Sequence, residues 1–545
     1  RNELLDRKGH SLPHILPVDQ TLPWANPPGG LAGRDRRGND PTPYMGPVPI
    51  VTHVHGAHTT EESDGYAEAW YLPDAENIPA GYARTGTFFD YFNEKYDAGW
   101  EDGAAAFRYP NDQPATTLWY HDHTLGMTRL NVYAGPAGFW LIRGGANDMD
   151  LGYVAPGVGD DPLGEYTEIP IVIQDRSFNA DGSLFYPDNR AFFEGLDPSQ
   201  LDIPFIPDMG VGGPSDVSPI WNPEFFGNMM VVNGFTWPYL DVQQRKYRFR
   251  FLNGCNSRFL ILKNNNGMPF TQIGGDQGFL PAPVELSELL MAPAERADVI
   301  MDFTSVPVGT EVILLNLGPD EPFGGGTPGV DFDPADPSST GIVMQFRVQP
   351  GASADTAIIP TSLPAAAPLG APAMTRDVSL NEEESKTIFV SHDIGGGIVF
   401  DPSSSEPFGP TAALLGTLNP DGTGNPLIWM ARMTELPALG TTEEWVIHNL
   451  TVDAHPIHVH QVKFEVMGRQ PYGGGTSVAG SNDPLPWETG PKDTVISYPG
   501  ESTRIKMHFD LPGYYVWHCH IVEHEDNEMM RPFHVGPVPA DGPQQ

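Results

Sequence analysis

The sequence predicts an all-β protein in which three β-sandwich domains follow one another along the chain. Short runs of alternating apolar and polar residues, bounded by Gly, Pro, Asn and Asp, recur throughout, as in Lys246–Leu252, Glu443–His448 and Ser502–Phe509. Gly (60) and Pro (57) are abundant among the 545 residues, which favours many turns and short strands. Helical periodicity is short and weak everywhere. These three observations together indicate sandwiches of short strands.

Two segments with little pattern divide the chain. Gly144–Gly164 is rich in Gly and Asp, and Pro360–Pro364 is followed by a run of Ala and Pro. We therefore predict a first domain at residues 1–150, a second domain at 165–350, a linker at 351–374 and a third domain at 375–545. Each of the three domains is long enough for one sandwich of about seven strands.

The first domain is expected to be incomplete. Only 52 residues precede the first histidine motif, and Pro, Gly and charged residues dominate them. Because a sandwich needs about seven strands, we expect the opening strands of this domain to be absent. A missing N-terminal fragment is therefore a candidate partner.

The charge balance excludes some classes of partner. Thirty basic residues against 70 acidic ones give a net charge of −40, which argues against nucleic acid, since phosphates need a Lys/Arg surface. The acidic surface favours cationic or metal-ion partners. No apolar run approaches the length of about 20 residues that a membrane helix requires, so no membrane span is predicted.

Ten of the 17 histidines fall into four tight clusters. A lone His-X-His is more often structural than metal-binding, but chance scatter would rarely produce four clusters. On a strand, residues i and i+2 point to the same face, so each His-X-His presents two imidazoles to one side. Two such strands facing each other can enclose a group of metal ions. The clusters are His53-Val54-His55, His121-Asp122-His123, His455-Pro456-Ile457-His458-Val459-His460, and His518-Cys519-His520 with His524.

The fourth cluster is the most informative. The imidazoles of His518 and His520 share one face, while the thiolate of Cys519 points to the other. Cys519 can therefore ligate one metal ion while its neighbours ligate a second site, with a short covalent path for electrons between them. His524, Met529 and one distant histidine would complete the His₂Cys set, with a weak axial Met, of an electron-transfer copper.

Copper explains these clusters most economically. A structural zinc site needs four closed ligands, and ten histidines with one Cys and one Met are too many for it. Non-haem iron would need a carboxylate with two histidines, which the clusters do not supply in register. Two other readings stay open from the residues alone: a copper carrier without turnover, and a copper nitrite reductase with a smaller histidine set.

Motifs beyond the histidines resemble those of the multicopper oxidases. The similarity is strongest to the bacterial spore-coat laccase branch, which includes bilirubin oxidases and o-aminophenol oxidases (phenoxazinone synthases), and it covers nearly the whole chain. The residues that carry it include Ser63–Tyr66, Leu118–His123, Thr128–Gly135, Asp181–Pro187, Lys246–Arg250, Glu523–Asp526 and Met529–Pro532.

The resemblance implies three cupredoxin-like Greek-key sandwiches and four copper ions, with a trinuclear cluster between the first and third domains. It also implies which residues bind each ion. The type 1 copper would be bound by His455, Cys519, His524 and axial Met529, the type 2 copper by His53 and His458, one type 3 copper by His55, His121 and His520, and the other by His123, His460 and His518.

The reaction implied is the one-electron oxidation of phenols or aromatic amines coupled to the four-electron reduction of dioxygen to water. Glu525 and Asp64 would deliver protons, and such a relay needs a pKa raised by burial or by a neighbouring carboxylate. Asp122 could orient the imidazoles or serve a structural hydrogen bond. Bilirubin and o-aminophenols are alternative donors, with Mn(II) behind them. The 17 Met are dispersed, which counts against a cuprous oxidase.

The resemblance also bears on location. Relatives are often exported already folded or lie in spore coats, so an exported, extracellular or spore-coat protein is favoured over a cytoplasmic one.

Overall fold

A computed structural model describes residues 1–157, 159–161, 164–205, 215–351, 355–364, 366–540 and 542. These residues form 29 strands against four α-helices, the longest of which has 10 residues. The all-β prediction is confirmed. Five short 3₁₀ helices lie at Pro27–Gly29, Glu61–Ser63, Arg190–Phe192, Pro198–Gln200 and Pro486–Glu488.

Residues 1–150, the first segment, are built around an antiparallel sheet of order β1-β2-β3. Its elements are α1 (Gly30–Gly33), β1 (Thr52–His55), α2 (Thr87–Tyr96), β2 (Thr116–Asp122), α3 (Thr128–Ala134) and β3 (Ala137–Ile142). Residues before β1 pair through isolated bridges such as Val18 with Tyr44, and the Tyr44 ring meets Trp24 edge-on at 5.0 Å. The absence of opening strands stays a prediction.

Residues 165–350, the second segment, form two packed sheets. The strands are β4 (Glu168–Phe178), β5 (Leu184–Phe185), β6 (Leu201–Asp202), β7 (Met229–Val232), β8 (Phe235–Thr236), β9 (Tyr239–Gln243), β10 (Lys246–Asn253), β11 (Leu260–Asn264), β12 (Phe270–Gly275), β13 (Gly278–Leu286), β14 (Leu289–Met291), β15 (Arg296–Asp302), β16 (Glu311–Asn316) and β17 (Ile342–Gln349). One sheet runs β13-β12-β15-β10-β4-β7-β8 and the other β14-β11-β16-β17-β9. Phe249 of the first meets Phe346 of the second at 5.2 Å in their shared core, as in face-to-face sandwiches.

Residues 375–545, the third segment, repeat this arrangement. The elements are β18 (Met374–Glu383), β19 (Val390–His392), β20 (Ile398–Phe400), β21 (Ala412–Leu418), β22 (Gly424–Leu427), β23 (Thr441–Asn449), β24 (His455–Val459), β25 (Phe464–Pro471), β26 (Thr494–Ser497), β27 (Glu501–Phe509), β28 (Gly513–Cys519), α4 (Val522–Glu525) and β29 (Met530–Val535). Sheet β22-β21-β18-β23-β27-β25 packs on sheet β26-β24-β28-β29. Between them Trp445 and Trp517 lie 5.5 Å apart, fully buried, and loss of either ring would cost about 3–5 kcal/mol.

The connection between these two segments spans the predicted linker at 351–374. The described residues of the predicted linker, 355–364 and 366–373, contain no strand, and β18 begins at Met374. Residues 352–354 and 365 of that linker lie outside the described residues. β6 of the second segment pairs with β20 of the third, so the two are also joined by a small sheet.

No helix in the described parts of the chain is both long enough and apolar enough to cross a membrane.

Candidate metal centre

Strand pairing in the first segment brings two histidine motifs together. β1 carries His53 and His55 on one face, because residues two apart on a strand point the same way. His53 lies opposite His121 across the β1–β2 pair. His123 follows directly after β2. The sequence-predicted imidazoles of this segment therefore converge on one patch.

The third segment presents a matching patch. His458 of β24 lies opposite His518 of β28 in an antiparallel pair. His460 and His520 follow these two strands at the positions two residues on. All four rings are buried. They face the first segment, where His53 stacks on His460 with ring centroids 3.9 Å apart and His55 stacks on His458 at 3.6 Å.

The eight imidazoles divide into groups whose ligand atoms all lie within 4.8 Å of one another. Every group mixes rings from the first and third segments, so neither segment can form one alone. The groups are His53, His55 and His458; His55, His121 and His520; and His123, His460 and His518.

Backbone carbonyls fix the orientation of several rings. The Nδ1 atoms of His53, His121 and His458 lie 2.5, 2.8 and 2.7 Å from the carbonyl oxygens of Asp64, Asp122 and Asp493. Since a carbonyl can only accept, each Nδ1 carries the proton and each Nε2 keeps its lone pair. In the described part of the chain, these Nε2 atoms have no hydrogen-bond partner although they are buried.

His55 is turned the other way. Its Nε2 lies 3.1 Å from Oδ1 of Asp493 and 3.2 Å from the hydroxyl of Thr494. Its buried Nδ1 has no partner among the residues described. His55 therefore offers Nδ1 to the centre, while most of its neighbours offer Nε2.

The titration behaviour of these rings suits metal ligands. Burial lowers the pKa of His121 to about 4 and that of His458 to about 3. Burial also holds the pKa of His53, His55 and His460 well below its usual range. Neutral imidazoles with unpartnered, buried lone pairs are costly in an empty interior. Metal ions would satisfy them, so the residues fit a cluster of metal ions.

A second group lies wholly within the third segment. Sγ of Cys519 is 3.6 Å from Nδ1 of His455 and 3.9 Å from Nδ1 of His524, and the two nitrogens are 3.2 Å apart. The hydroxyl of Thr451 lies 2.7 Å from Nε2 of His455 and leaves Nδ1 to face the sulfur. One thiolate and two imidazoles converging on a point have the composition of the equatorial ligand set of an electron-transfer copper.

The thiolate form of Cys519 would need a cation beside it. Cys519 is fully buried, and burial raises the pKa of its thiol well above the ordinary value. The thiolate form would be stabilised there by a bound metal. Met529 is also fully buried in the same apolar core; its amide donates to the His524 carbonyl and its own carbonyl accepts from the Cys519 amide, both at 3.0 Å.

The two groups meet at adjacent residues at the end of β28. Cys519 belongs to the group that it forms with His455 and His524, while His518 and His520 on either side of it belong to the eight-histidine group. The predicted alternation on this strand therefore places the thiolate and the imidazoles toward different sites.

The two predicted carboxylates both lie at the eight-histidine group. Asp64 accepts from Nδ1 of His460 at 2.8 Å, and Glu525 lies 3.2 Å from Nδ1 of His518. Burial raises the pKa of Asp64 well above its usual value, as expected. Burial also acts to raise the pKa of Glu525, but the imidazoles of His518 and His123 bring it down to about 2. The expected raised pKa of Glu525 is therefore not found.

Asp122 is predicted either to orient the imidazoles or to make a structural hydrogen bond, and its carboxylate makes structural hydrogen bonds. Its carboxylate accepts from the backbone amides of Val51 and Thr124 at 3.0 and 2.9 Å and from the Asn131 amide group at 2.8 Å. Only its carbonyl oxygen touches an imidazole, that of His121. The carboxylate thus ties together Val51 before β1, Thr124 after β2 and Asn131 of α3.

Sequence reasoning missed Asp493. Its carboxylate contacts His55 and its carbonyl contacts His458, so it supports rings from both segments. Asp493 stands in Lys492-Asp493-Thr494, more than 20 residues from any histidine cluster, as one of 70 acidic residues. No local pattern marks it, because its role depends on how β26 pairs with β24.

Comparison with known proteins agrees with this geometry. The multicopper oxidase family profile matches residues 407–539. The chain is 36% identical to a laccase of Bacillus subtilis over 538 residues, covering 96% of this chain and 84% of the relative. It is 32% identical to a laccase of Haloferax volcanii, covering 98% of this chain and 74% of the relative.

A solved structure is similar over most of its length. The variant 2F4 of the McoA multicopper oxidase from Aquifex aeolicus superposes with a TM-score of 0.57 and 26% identity, covering 90% of this chain and 85% of that one. Together with the identity to the laccases, this likeness fixes the family. The chain belongs to the multicopper oxidases and is a laccase-like, copper-dependent oxidoreductase.

Proposed function

We propose that the chain holds four copper ions and uses them to couple donor oxidation to dioxygen reduction. The observation that carries the proposal is His518-Cys519-His520, which joins two buried ligand groups through one strand. In the proposed assignment, the type 1 copper has His455, Cys519, His524 and Met529; the type 2 copper has His53 and His458; one type 3 copper has His55, His121 and His520; the other has His123, His460 and His518.

Copper bound there would supply redox chemistry, taking single electrons from a phenol or aromatic amine and delivering four to one dioxygen molecule to give two waters. The chain supplies orientation and a dry interior. Backbone carbonyls hold the rings of His53, His121 and His458 in one tautomer, and all eight rings are buried. Such outer partners keep ligand geometry fixed while the charge at the site changes.

Asp64 and Glu525 are proposed to handle protons in different ways. Oδ2 of Asp64 accepts from His460, while its buried Oδ1 has no partner in the described part of the chain. Because burial raises its pKa, Asp64 can hold a proton on Oδ1 and release it. The Glu525 carboxylate lies 3.2 Å from Nδ1 of His518. Its pKa of about 2 keeps it ionised, so Glu525 can take a proton only transiently and pass it on at once, whereas Asp64 can store one.

Phenols and aromatic amines are the proposed donors, with bilirubin and o-aminophenols as alternatives in the same branch. The electron would enter near His455 or His524, whose ring nitrogens approach Cys519. Leu450 and Val452, five and three residues before His455 in the chain, are exposed by 38% and 76%, so they are proposed as the apolar surface that a donor contacts. Because the chain belongs to an oxidase family, we do not propose a copper carrier without turnover.

One observation favours a second donor class, divalent cations such as Mn(II). Glu224, Glu382 and Asp453 repel one another, and burial together with this repulsion raises the pKa of Glu224 well above normal and that of Glu382 to about 7. Glu224 is 3% exposed with an unpartnered Oε1 among the described residues. Asp453 lies two residues before His455, so a cation attracted to this acidic cluster would approach the type 1 ligands.

The test begins with the copper-loaded protein. Elemental analysis is expected to give about four copper ions per chain, with a blue type 1 absorption and a separate type 2 electron paramagnetic resonance (EPR) signal. A protein without the blue absorption, or without oxygen uptake on any donor, would contradict the proposal.

Oxygen uptake is then compared for 2,6-dimethoxyphenol, bilirubin, o-aminophenol and Mn(II). Faster uptake with the phenol than with Mn(II) supports the first candidate. If Mn(II) is oxidised, Glu224→Gln should slow that reaction and leave phenol oxidation unchanged. Equal slowing of both reactions would remove Glu224 from cation binding.

A further inference from the structure

The second segment contributes to the eight-histidine group although residues 165–350 contain no histidine. Its Arg296, at the start of β15, is 2% exposed. The guanidinium of this residue lies where the three segments meet. It contacts Thr117 of the first segment and Asp493 of the third.

All five N–H groups of this guanidinium have acceptors. Nε donates to the carbonyl of Thr117 at 3.0 Å, and Nη1 donates to the carbonyl of Ala294 at 2.8 Å and to Oδ1 of Asp493 at 2.9 Å. Nη2 donates to the carbonyl of Asp276 at 3.1 Å and to Oδ2 of Asp493. The planar fork therefore has one orientation, and lysine could not reproduce it.

Asp493 passes this orientation to two imidazoles. Its Oδ1 lies 3.1 Å from Nε2 of His55, and its carbonyl oxygen lies 2.7 Å from Nδ1 of His458. Gln277, also of the second segment, donates to Oδ2 at 2.7 Å. The His55 and His458 rings stack at 3.6 Å and belong to different segments, so one residue, Asp493, contacts both through its carboxylate and its carbonyl oxygen.

The Asp493 carboxylate is fully buried, and Arg296 makes a bidentate ion pair with it. Lys492 beside it is neutralised by Asp276 at 2.8 Å and Glu295 at 2.9 Å. Arg296 is therefore the cation that Asp493 depends on, and removal of its fork would leave a buried carboxylate poorly paired.

We propose that Arg296 is a positioning residue for the trinuclear site, acting through Asp493 on His55 and His458, with Gln277 as a weaker second support. The inference rests on the proposed function, since it concerns rings assigned there to the type 2 copper and one type 3 copper. It gives the histidine-free segment a role in the reaction besides joining its neighbours.

The main test is Arg296→Lys in the copper-loaded full chain. Outer partners of metal ligands typically change affinity or activity by about ten- to a hundredfold. We expect kcat to fall by that factor, the KM for 2,6-dimethoxyphenol to stay unchanged, and the type 2 EPR hyperfine splitting to change or the signal to be lost. The blue absorption should persist, because Arg296 contacts none of the type 1 ligands.

Arg248→Lys is the matched control. Arg248 is a buried arginine of the same segment that makes a bidentate pair with Asp298, at 2.8 and 2.5 Å, and contacts no histidine in the described residues. The control should lower thermal stability as much as Arg296→Lys does while leaving the type 2 EPR signal and kcat intact. Equal spectroscopic changes in both variants would reduce the effect to general destabilisation and overturn the proposal.

Gln277→Leu decides the question if Arg296→Lys does not fold. It removes one hydrogen bond to Asp493 and keeps the ion pair, so a smaller shift of the type 2 signal in the same direction is expected. If Gln277→Leu shows wild-type EPR parameters and kcat, the proposal is wrong. That failure is distinct from failure of the proposed function, which would already appear in the wild-type protein as missing copper or missing oxygen uptake.

Discussion

The two ligand groups differ in how much of the fold each one needs. The group of His455, Cys519, His524 and Met529 lies within the third segment, on and after strands of one small sheet. The eight-histidine group takes rings from the first and third segments and draws support from the second segment through Arg296, which pairs with Asp493. The first is set by local strand pairing, whereas the second exists only when the segments have docked.

Because the two groups depend on different parts of the fold, a substitution at one group should not affect the other. The two groups are joined through adjacent residues of β28 and through β24, which carries both His455 and His458, but no ligand side chain belongs to both groups. A variant that disturbs one group should therefore leave the spectroscopic signature of the other. The predictions below test that separation, starting with the largest effect.

Cys519→Ser should abolish the blue absorption and reduce turnover to below about a thousandth of wild type, because serine cannot supply the thiolate of the electron-transfer site. The type 2 EPR signal should remain. Absorption and EPR spectra of the same sample check both points. Cys255→Ser is the control, since Cys255 is buried in the second segment, where its sulfur lies 3.7 Å from the Ile173 carbonyl oxygen, and it belongs to neither ligand group. Loss of both signals in Cys519→Ser would show that the groups are not independent.

Glu525→Gln should slow oxygen reduction about a hundredfold, in the range expected for loss of an acid–base group. Its blue absorption should be unchanged, since Glu525 faces His518 and His123 and not the thiolate. Steady-state oxygen uptake and the absorption spectrum are the measurements. Glu435→Gln is the control, a buried carboxylate near Arg531 that lies away from the imidazoles. Unchanged turnover in Glu525→Gln would remove this residue from the mechanism.

Copper removal should make stability strongly dependent on pH. In the folded apoprotein the pKa of His121 is about 4 and that of His458 about 3, below the ordinary value of 6.5. The unfolded chain therefore binds more protons below pH 6.5, so folding free energy is lost as pH falls from 6.5 toward 4. The loss is on the order of 3 kcal/mol for one such histidine.

Thermal unfolding of the apoprotein across this pH range is the measurement, with the copper-loaded protein as control. Bound metal competes with protons for the same nitrogens, so the loaded protein should keep its stability to lower pH. An apoprotein whose unfolding temperature stays constant from pH 6.5 to 4 would contradict the buried, neutral state of these rings.

His58→Gln should have the smallest effect. His58 bridges Asp112 of the first segment and Asp510 of the third at 3.0 and 3.2 Å, and the hydrogen bond to Asp510 raises the pKa of His58 to about 9. A raised folded pKa stabilises the protein below pH 6.5 and ceases to do so as pH rises through 9. Since the pair is partly exposed, we expect a loss of about 0.5 kcal/mol at pH 6 that disappears above pH 9.

His392→Gln is the matched control for His58→Gln. His392 pairs with Glu406 at 3.2 Å within the third segment, on the surface. The control should change the unfolding free energy less than His58→Gln does, because His392 and Glu406 lie in the same segment. An equal effect at both positions would mean that the His58 bridge does not contribute to docking.

Much of the site was visible in the sequence because strand periodicity is local. His-X-His predicts two imidazoles on one face, and His518-Cys519-His520 predicts a thiolate facing the other way; the structure has both arrangements. The all-β class followed from the same alternation. The different pKa directions of Asp64 and Glu525 could not be predicted, since they depend on which charged neighbours lie within a few ångströms.

The sequence by itself determined which residue types could meet a metal, because alternation along one strand fixes which side chains share a face. The tertiary structure alone decided which rings from different segments stack, and which nitrogen of each ring is left free. It also brought Arg296 of a histidine-free segment onto Asp493, 197 residues away along the chain. Contacts of that kind arise from the docking of whole sheets, and no short stretch of sequence encodes them.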